Sequence, residues 1–431
     1  MIIQAVRGTK DILSHEIQYQ RLIVEEARKI LESASYLEIC TPLIENTNLF
    51  VRSIGQDTDI INKEMYCFQD QGNREITLRP EGTAGVTRAF IENKLYAQNN
   101  ISRFWYFGPM FRYERPQAGR QRQFHQLGIE CFGTTDPRSD AEVIHLATNL
   151  LTQLKCTKFS LEINSIGKLH HRTQYQNALR NYLLPHINEL DENSKNRLYT
   201  NPLRILDSKN LQTREILAKA PLLYDFLDHN SKQHFERVCN NLNTLNIPYT
   251  INNQLVRGLD YYNNTAFEIQ IKLKNTPTSI TVCGGGRYDR LVKQLGGPDT
   301  PAIGWAIGIE RLQQAIKNKF KLSNKNIDIY IASQGEAANQ YSLQIMKLLQ
   351  EKRFTTVLDF SNKSFTKQLT KANKASATAC LLIGEQEMLD QSITIKWLHN
   401  GEQETLKQEG LDTTISYLKY KIQDINTSLI I

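Results

Sequence analysis

The stretch FRYERPQAGRQRQFHQLGIE, residues 111–130, decides the fold. Two β-rich segments flank a polar loop, Tyr113 to Arg122, so residues 101–132 read as one long hairpin. Side chains alternate along a strand, which puts Gln126, Gly128 and Glu130 on one face. The middle residue has no side chain, so that face predicts a notch floored by backbone, with an amide at one end and a carboxylate at the other. Such a notch suits a small polar ligand carrying hydrogen-bond donors. An exposed polar face with a glycine bulge would give the same pattern. Arg112, Arg115, Arg120 and Arg122 follow one another closely in and beside the loop. Guanidinium matches phosphate oxygens bidentately, which an ammonium does not. The cluster points to a polyphosphate or an RNA backbone, or else to a solvated basic loop.

Outward from the hairpin, residues 17–33 carry apolar side chains at helical spacing. Residues 36–44 read as a strand containing Pro42, which places it at an edge or an interface. Residues 140–154 are helical. Over residues 168–245 strand alternation fades and helical spacing dominates, as in a helical insertion. Strand character returns at 255–272 and 279–283, with a glycine cluster after it. Residues 301–317 read as a helix whose Gly304 and Gly308, four apart, would pack on a sheet, with Arg311 projecting onto the same sheet face. The polar stretch 318–326 is the linker candidate. Beyond it, strands at 327–332, 355–359 and 378–383 alternate with helices at 337–349 and 364–375, the pattern of a small α/β domain.

Composition bounds the rest. At about 100–200 residues per domain, 431 residues make two to four domains. The 40% hydrophobic and 23% charged content excludes a disordered tail, a disulfide mini-protein and a collagen-like chain. No apolar run reaches the roughly 18 residues of a membrane span, and the first residues lack a signal peptide's pattern. Seven cysteines, odd in number and without C-x-x-C, read as reduced intracellular thiols with neither disulfide framework nor zinc cluster. The net charge of +7 permits a polyanion partner without requiring one. A phosphate-binding P-loop, H-E-x-x-H and G-x-S-x-G are all missing. His170 and His171 are adjacent and would diverge in a helix or a strand, so no metal site is expected. The chemistry falls to arginine and carboxylate.

Four more segments stand out. Arg79-Pro80-Glu81-Gly82-Thr83 puts a carboxylate and a hydroxyl in a tight turn, or is an ordinary helix cap. Leu255–Tyr262 sets Arg257 and Asp260 beside Tyr261 and Tyr262. Cys283–Asp289 lets backbone approach a ligand closely through its glycines. Gly304–Arg311 completes the set. Taken in order, these segments resemble the class II aminoacyl-tRNA synthetases. Pro42 falls in a motif 1-like segment, the Phe-Arg-x-Glu hairpin is similar to motif 2, and 304–311 to motif 3. Arg257-Gly-Leu-Asp-Tyr-Tyr262 and Gly285-Gly-Arg-Tyr-Asp289 resemble the histidine motifs of the histidyl-tRNA synthetases. The likeness runs from Val6-Arg-Gly-Thr-Lys-Asp11 to near the C-terminus, and Asn201–Lys209 fits the bacterial-type branch. Arg290 stands where a glycine is expected, and the last 40 residues match loosely.

The resemblance implies an α+β catalytic core over residues 1–320, built on a six- to seven-stranded antiparallel sheet flanked by helices. It is interrupted by the 168–245 helical insertion, a clamp for the tRNA acceptor arm, and followed by an α/β anticodon-binding domain over 326–425. The implied reaction is ATP-dependent ligation of L-histidine to tRNA(His) through histidyl-adenylate. ATP enters as its Mg²⁺ complex, with no tightly bound cofactor and no zinc. Arg112 and Arg257 are the implied catalytic residues on the α-phosphate, with Glu114 in the ATP site and Arg120 and Arg311 on the γ-phosphate. Glu81, Gly82, Thr83 and Gln126 would surround the ammonium of histidine. Glu130 and Tyr262 would hold the imidazole, with Tyr261 and Tyr288 beside them. Arg115 and Gln117 would read the acceptor end. In the C-terminal domain Lys363, Lys367, Lys371 and Lys374 recur at helical spacing, a basic stripe that suits the RNA backbone of the anticodon arm or is a solvated lysine face. Pairing through motif 1 implies a homodimer, with no membrane partner. The compartment is the cytoplasm or, for an organelle-encoded chain, the interior of a plastid or other organelle. The chief competitor is the histidine-sensing regulatory subunit of ATP phosphoribosyltransferase, which typically lacks the C-terminal domain and the catalytic arginines. A class II synthetase for another amino acid fits 257–262 less well.

Overall fold

The computed structural model describes residues 2–55, 58, 60–98, 100–114, 121–273, 279–320, 327–407 and 411–428. Arg115, Gln117 and Arg120 lie outside them. Contacts divide the chain into two units, Met1–Lys321 and Leu322–Ile431.

The first unit is built on an eight-stranded sheet. Its order is Leu37–Glu38, Ser102–Phe111, Gln123–Phe132, Ala302–Gly308, Ser279–Arg287, Asn263–Lys272, Phe159–Ser165 and Thr250–Ile251. The six inner strands are antiparallel. The two-residue strands at the ends pair parallel, so the sheet is wider and more mixed than the sequence implied. Helices Ser14–Ser33, Pro137–Gln153 and His229–Thr244 pack side by side along one face. The buried Trp305 indole fixes that face by donating to the Val143 carbonyl at 2.8 Å.

Four local expectations give way. Residues 36–44 do not form one strand. Leu37–Glu38 joins the large sheet, while Ile44–Asn46 pairs with Glu75–Leu78 in a separate three-stranded sheet completed by Tyr66–Gln69. Pro42 stands between them, and a residue without an N–H cannot carry a ladder across. Residues 302–308 are a strand, with the helix confined to Ile309–Ile316. A glycine spacing of four fits one helical turn and also two strand repeats. Pairing on both sides, with Gln123–Phe132 and Ser279–Arg287, settles it as strand. Gly284, Gly285 and Gly286 lie within the strand Ser279–Arg287 rather than after it. Its neighbour starts only at Asn263, leaving Leu255–Tyr262 as a loop.

The insertion is helical as expected, with helices Leu169–Leu183, Glu192–Thr200, Leu211–Leu217 and His229–Thr244. Its Tyr175, Leu179, Leu198, Ile205 and Leu223 share one apolar cluster with Tyr106, Val256, Tyr261, Tyr262 and Tyr288 of the sheet side. At about 1.5–3 kcal/mol per fully buried large side chain, such a shared core makes the two one folding unit.

The second unit is a five-stranded sheet ordered Thr356–Leu358, Ile329–Ser333, Ala379–Ile383, Ser392–Trp397, Gln403–Lys407. The first three strands are parallel and the last two antiparallel. Helices Glu336–Glu351 and Phe365–Lys374 form where the periodicity put them, and Leu411–Ser428 is an addition. Among the described residues no helix is long and apolar enough to cross a membrane.

Candidate active site

On the sheet face turned away from helix Pro137–Gln153, glycines repeatedly stand where a Cβ would collide with a site side chain. A Cβ on Gly128 would strike the Tyr106 hydroxyl, one on Gly284 the Arg257 guanidinium, and one on Gly304 the Glu130 carboxylate. The glycines thus make a floor on which large polar side chains lie flat. The notch expected over Gly128 is therefore not open backbone. Tyr106, paired with Gly128 across the hairpin, fills it. Gly82 is packed against the same ring.

A cavity of 380 Å³ opens above this floor. Its lining includes Glu81, Thr83, Gln126, Tyr261 and Tyr262. Both oxygens of Glu81 are used: they accept from the Thr83 N–H at 2.7 Å and the Ala84 N–H at 2.8 Å, starting helix Thr83–Glu92. Glu81 is thus a helix cap as well as a wall residue. Arg79 fixes the turn before it by donating to the Pro109 and Thr41 carbonyls, each at 2.9 Å. Glu130 and Tyr288 stand behind the wall. Thr83 donates to Glu130 Oε1 at 2.6 Å, and the Tyr288 hydroxyl donates to Oε2. Complete burial pushes the Glu130 carboxyl up to about 8, against the pull of those two bonds. Burial also raises Glu81. The Gln126 side-chain oxygen is buried and has no hydrogen-bond partner among the described residues. Tyr261 and Tyr262 pack 4.7 Å apart, and Tyr288 lies edge-on to both.

The same cavity is also lined by cations, Arg112, Arg257 and Arg311. Arg112 lines it, donating from Nε to the Pro80 carbonyl at 2.8 Å, with its guanidinium 5.3 Å from the Phe124 ring centre. Arg257 lies over Tyr262 at 5.4 Å and bonds Glu268 at 2.5 Å. Glu268 also accepts from the Thr281 hydroxyl at 3.0 Å, and the Thr281 carbonyl accepts from Arg311 at 2.9 Å. Glu114 and Glu310 complete the lining. Glu310 accepts the His125 N–H at 2.9 Å, tying the hairpin to the helix that carries Arg311. A ligand with a cationic head and a polyphosphate tail fits this polarity.

The sequence had not pointed to Tyr106, Glu268 or Glu310. A hairpin register would have set Tyr106 opposite Gly128. A carboxylate inside the apolar run Ala266–Ile271 was the signal for Glu268. Arg287, by contrast, is structural. It is buried against Asp140 at 2.6 Å, Asp289 and Ser139. His170 and His171 do not diverge: their ring centres are 3.8 Å apart, and with Asp228 they bring one ligand atom each within 4.8 Å. Lys168 already bonds that carboxylate at 3.2 Å, and a fixed ammonium opposes a second cation there. In the second unit Lys363 and Lys367 are exposed, whereas Lys371 is paired with Asp359 at 3.1 Å.

With this geometry in hand, comparison with known proteins is specific. The histidyl-tRNA synthetase family profile matches residues 8–312, and an anticodon binding domain profile matches 328–418. A chloroplastic histidine–tRNA ligase of Pyropia yezoensis is 55% identical over 97% of both chains. A histidine–tRNA ligase of Cyanothece sp. strain PCC 7425 is 52% identical over 98% of both. Among solved structures, apo histidyl-tRNA synthetase of S. aureus superposes with TM-score 0.79 at 36% identity, covering 97% of this chain and 100% of that one. Over nearly its whole length, in sequence and in fold, this chain belongs to the histidyl-tRNA synthetase family.

Proposed function

We propose that the protein attaches L-histidine to tRNA(His) in this cavity, in two steps. The histidine carboxylate attacks the α-phosphorus of ATP, and the bond to pyrophosphate breaks, leaving histidyl-adenylate. The terminal ribose hydroxyl of the tRNA then attacks the histidyl carbonyl, and AMP departs. A phosphate oxygen of the adenylate takes the ribose proton, so no protein base is required. The observation that carries this is the cavity's make-up, with Glu81, Thr83 and Gln126 lining the same cavity as Arg112, Arg257 and Arg311.

Negative charge builds on the α-phosphate as the carboxylate attacks, and fixed cations lower that barrier. Arg112 and Arg257 take the α-phosphate, Arg257 in a place that other class II enzymes give to a metal ion. Glu114 borders the ATP site, and Arg311 and Arg120 take the γ-phosphate. Mg²⁺ accompanies the pyrophosphate portion of the substrate. Glu81, Thr83 and the unpartnered Gln126 oxygen receive the ammonium. Glu130 and Tyr262 select the imidazole, with Tyr261 and Tyr288 packed beside them. A buried polar pair of this kind rejects ligands lacking the ring nitrogens by about 10⁴-fold. Arg115 and Gln117 read the acceptor end, the insertion clamps the acceptor arm, and Lys363, Lys367 and Lys371 serve the anticodon domain. The arginines gathered in one cavity, together with a C-terminal α/β unit, weigh against a histidine-sensing regulatory subunit.

The protein works as a homodimer, joined through the edge where Leu37, Leu43 and Ile44 are exposed. Light scattering behind size exclusion should give twice the 49.6 kDa chain mass, and a stable monomer at micromolar concentration would refute the pairing. The protein's place of work is the cytoplasm or, alternatively, a plastid interior; the cyanobacterial relatives fit the first and the chloroplastic red-algal ones the second. The test of the activity is charging of purified tRNA(His) with labelled histidine and ATP. Charging of tRNA(His) is the expected result, and histidine binding without charging would instead favour the regulatory reading.

A further inference from the structure

We infer that the helical insertion sets the geometry of the adenylation site, with Arg204 and Arg172 as positioning residues for the loop that carries Arg257, Tyr261 and Tyr262. This rests on Arg257 acting at the α-phosphate, as proposed above.

The loop from Asn252 to Tyr262 forms no sheet ladder. Two of its carbonyls are held by arginines of the insertion. Arg204 Nη2 donates to the Gly258 carbonyl at 2.8 Å, one residue past Arg257. Both terminal nitrogens of Arg172 lie 3.2 Å from the Asp260 carbonyl, one residue before Tyr261. These are charge-assisted bonds to backbone, which fix the Gly258–Leu259 and Asp260–Tyr261 peptide planes. Arg204 is itself placed by the insertion, since Arg197 donates to its carbonyl at 3.3 Å. Asp207, on the same short turn, lies within electrostatic reach of both Arg257 and Glu268. Val256, Tyr261 and Tyr262 are buried in the insertion's own apolar cluster, with Leu259 packed against it. A pocket of only 20 Å³ remains between Arg172, Arg204, Val256 and Arg257, so the contact is close. A load on the insertion therefore reaches Arg257 through one hydrogen bond and one peptide unit. The insertion is part of the machinery for the first step, before any tRNA arrives, and its hold on the acceptor arm and the setting of Arg257 are mechanically joined.

The experiment is histidine-dependent ATP–pyrophosphate exchange without tRNA, on the full chain. Arg204→Ala, Arg204→Lys, Arg172→Ala and Arg257→Ala are compared with the parent at a temperature where thermal melts show all of them folded. Misplacing a reacting group by about 1 Å costs on the order of 10²-fold, so Arg204→Ala should lose about 10- to 100-fold in kcat with the KM for histidine changed less than about twofold. Arg204→Lys, which keeps one donor for Gly258, should recover most of that loss. Arg172→Ala, beside the tyrosines, should raise the KM for histidine instead. A purely structural role would lower the melting temperature and leave kcat and KM alone. Parental kcat in folded Arg204→Ala, beside an Arg257→Ala slowed by about 10²-fold or more, overturns this inference and spares the role of Arg257. Parental kcat in Arg257→Ala overturns the role of Arg257 itself, and the inference with it.

Discussion

The cavity has two sets of lining residues that are built differently: the carboxylate, amide and tyrosine set, proposed as the amino-acid end, and the arginine set, proposed as the phosphate end. At the amino-acid end the acidic groups are engaged within the protein: Glu130 by Thr83 and Tyr288, Glu81 by two backbone N–H groups. At the proposed phosphate end the Arg112 guanidinium donates one hydrogen bond among the described residues, to a carbonyl, although it carries five N–H donors. Arg257 keeps a buried Nε without a hydrogen-bond partner among the described residues. The first end is shaped before its ligand arrives, as selection of one small molecule requires. On the proposed reading, the second holds donors for charge that is greatest when the α-phosphate is under attack. Selectivity and rate should therefore fail separately.

Arg257→Ala should have the largest effect. Losing one fixed cation at developing charge costs about 10²–10³-fold in rate. Histidine binding, followed by calorimetry, should stay within about threefold of the parent. Loss of binding would mean the two ends are not separable.

Next comes a pH effect confined to the amino-acid end. The Glu130 carboxyl, about 8 when buried against an ordinary value of 4.5, holds a proton in the native apo chain that the unfolded chain has released. Its contribution to stability is complete below about 4.5 and is lost as pH rises through 8, by about 1.4 kcal/mol per pH unit within that window. Urea unfolding between pH 5.5 and 8.5 should show Glu130→Gln with a correspondingly flatter profile than the parent. Parallel profiles would show that Glu130 ionises freely in the apo protein.

The glycine floor sharpens the comparison. An added methyl at Gly284 meets the far end of a flexible arginine, whereas one at Gly128 meets a buried ring. Gly284→Ala should fold with a near-parental melting temperature yet lose about tenfold or more in exchange, by displacing Arg257. Gly128→Ala should cost about 1–3 kcal/mol of stability, as overpacking does, and weaken histidine binding. Equal stability losses in the two would contradict the assignment of Tyr106 and Arg257 to those positions.

The smallest effect on exchange belongs to the second unit. Lys367→Glu with Lys371→Glu should weaken tRNA binding, measured by filter retention, and leave adenylate formation unchanged. Lys371 already neutralises Asp359, so its reversal should also cost stability, whereas that of exposed Lys367 should not.

How much was legible follows from which signals are local. The hairpin, the insertion and the alternating elements after residue 327 rest on periodicity within one segment, and they form as read. The segment 302–308 was misread because glycines four apart satisfy both helix and strand, and only pairing with two distant strands decides between them. Gln126, Thr83 and Arg257 could be named from motifs. That Tyr106 lies on Gly128, that Glu268 holds Arg257 and that Arg204 reaches Gly258 are facts of register and packing between segments far apart in sequence. Arg287 sits in a segment that resembles a histidine motif but serves as a buried strut to Asp140, a distinction only its partners reveal.

The most direct measurement is ATP–pyrophosphate exchange with each of the twenty amino acids in turn, without tRNA. Exchange with histidine alone is the expected result, because the proposed imidazole-selecting pair is buried and the first step of the proposed reaction does not involve tRNA. Exchange with a different amino acid, or none at all while histidine still binds, would contradict the assignment of this cavity as a histidine-activating site.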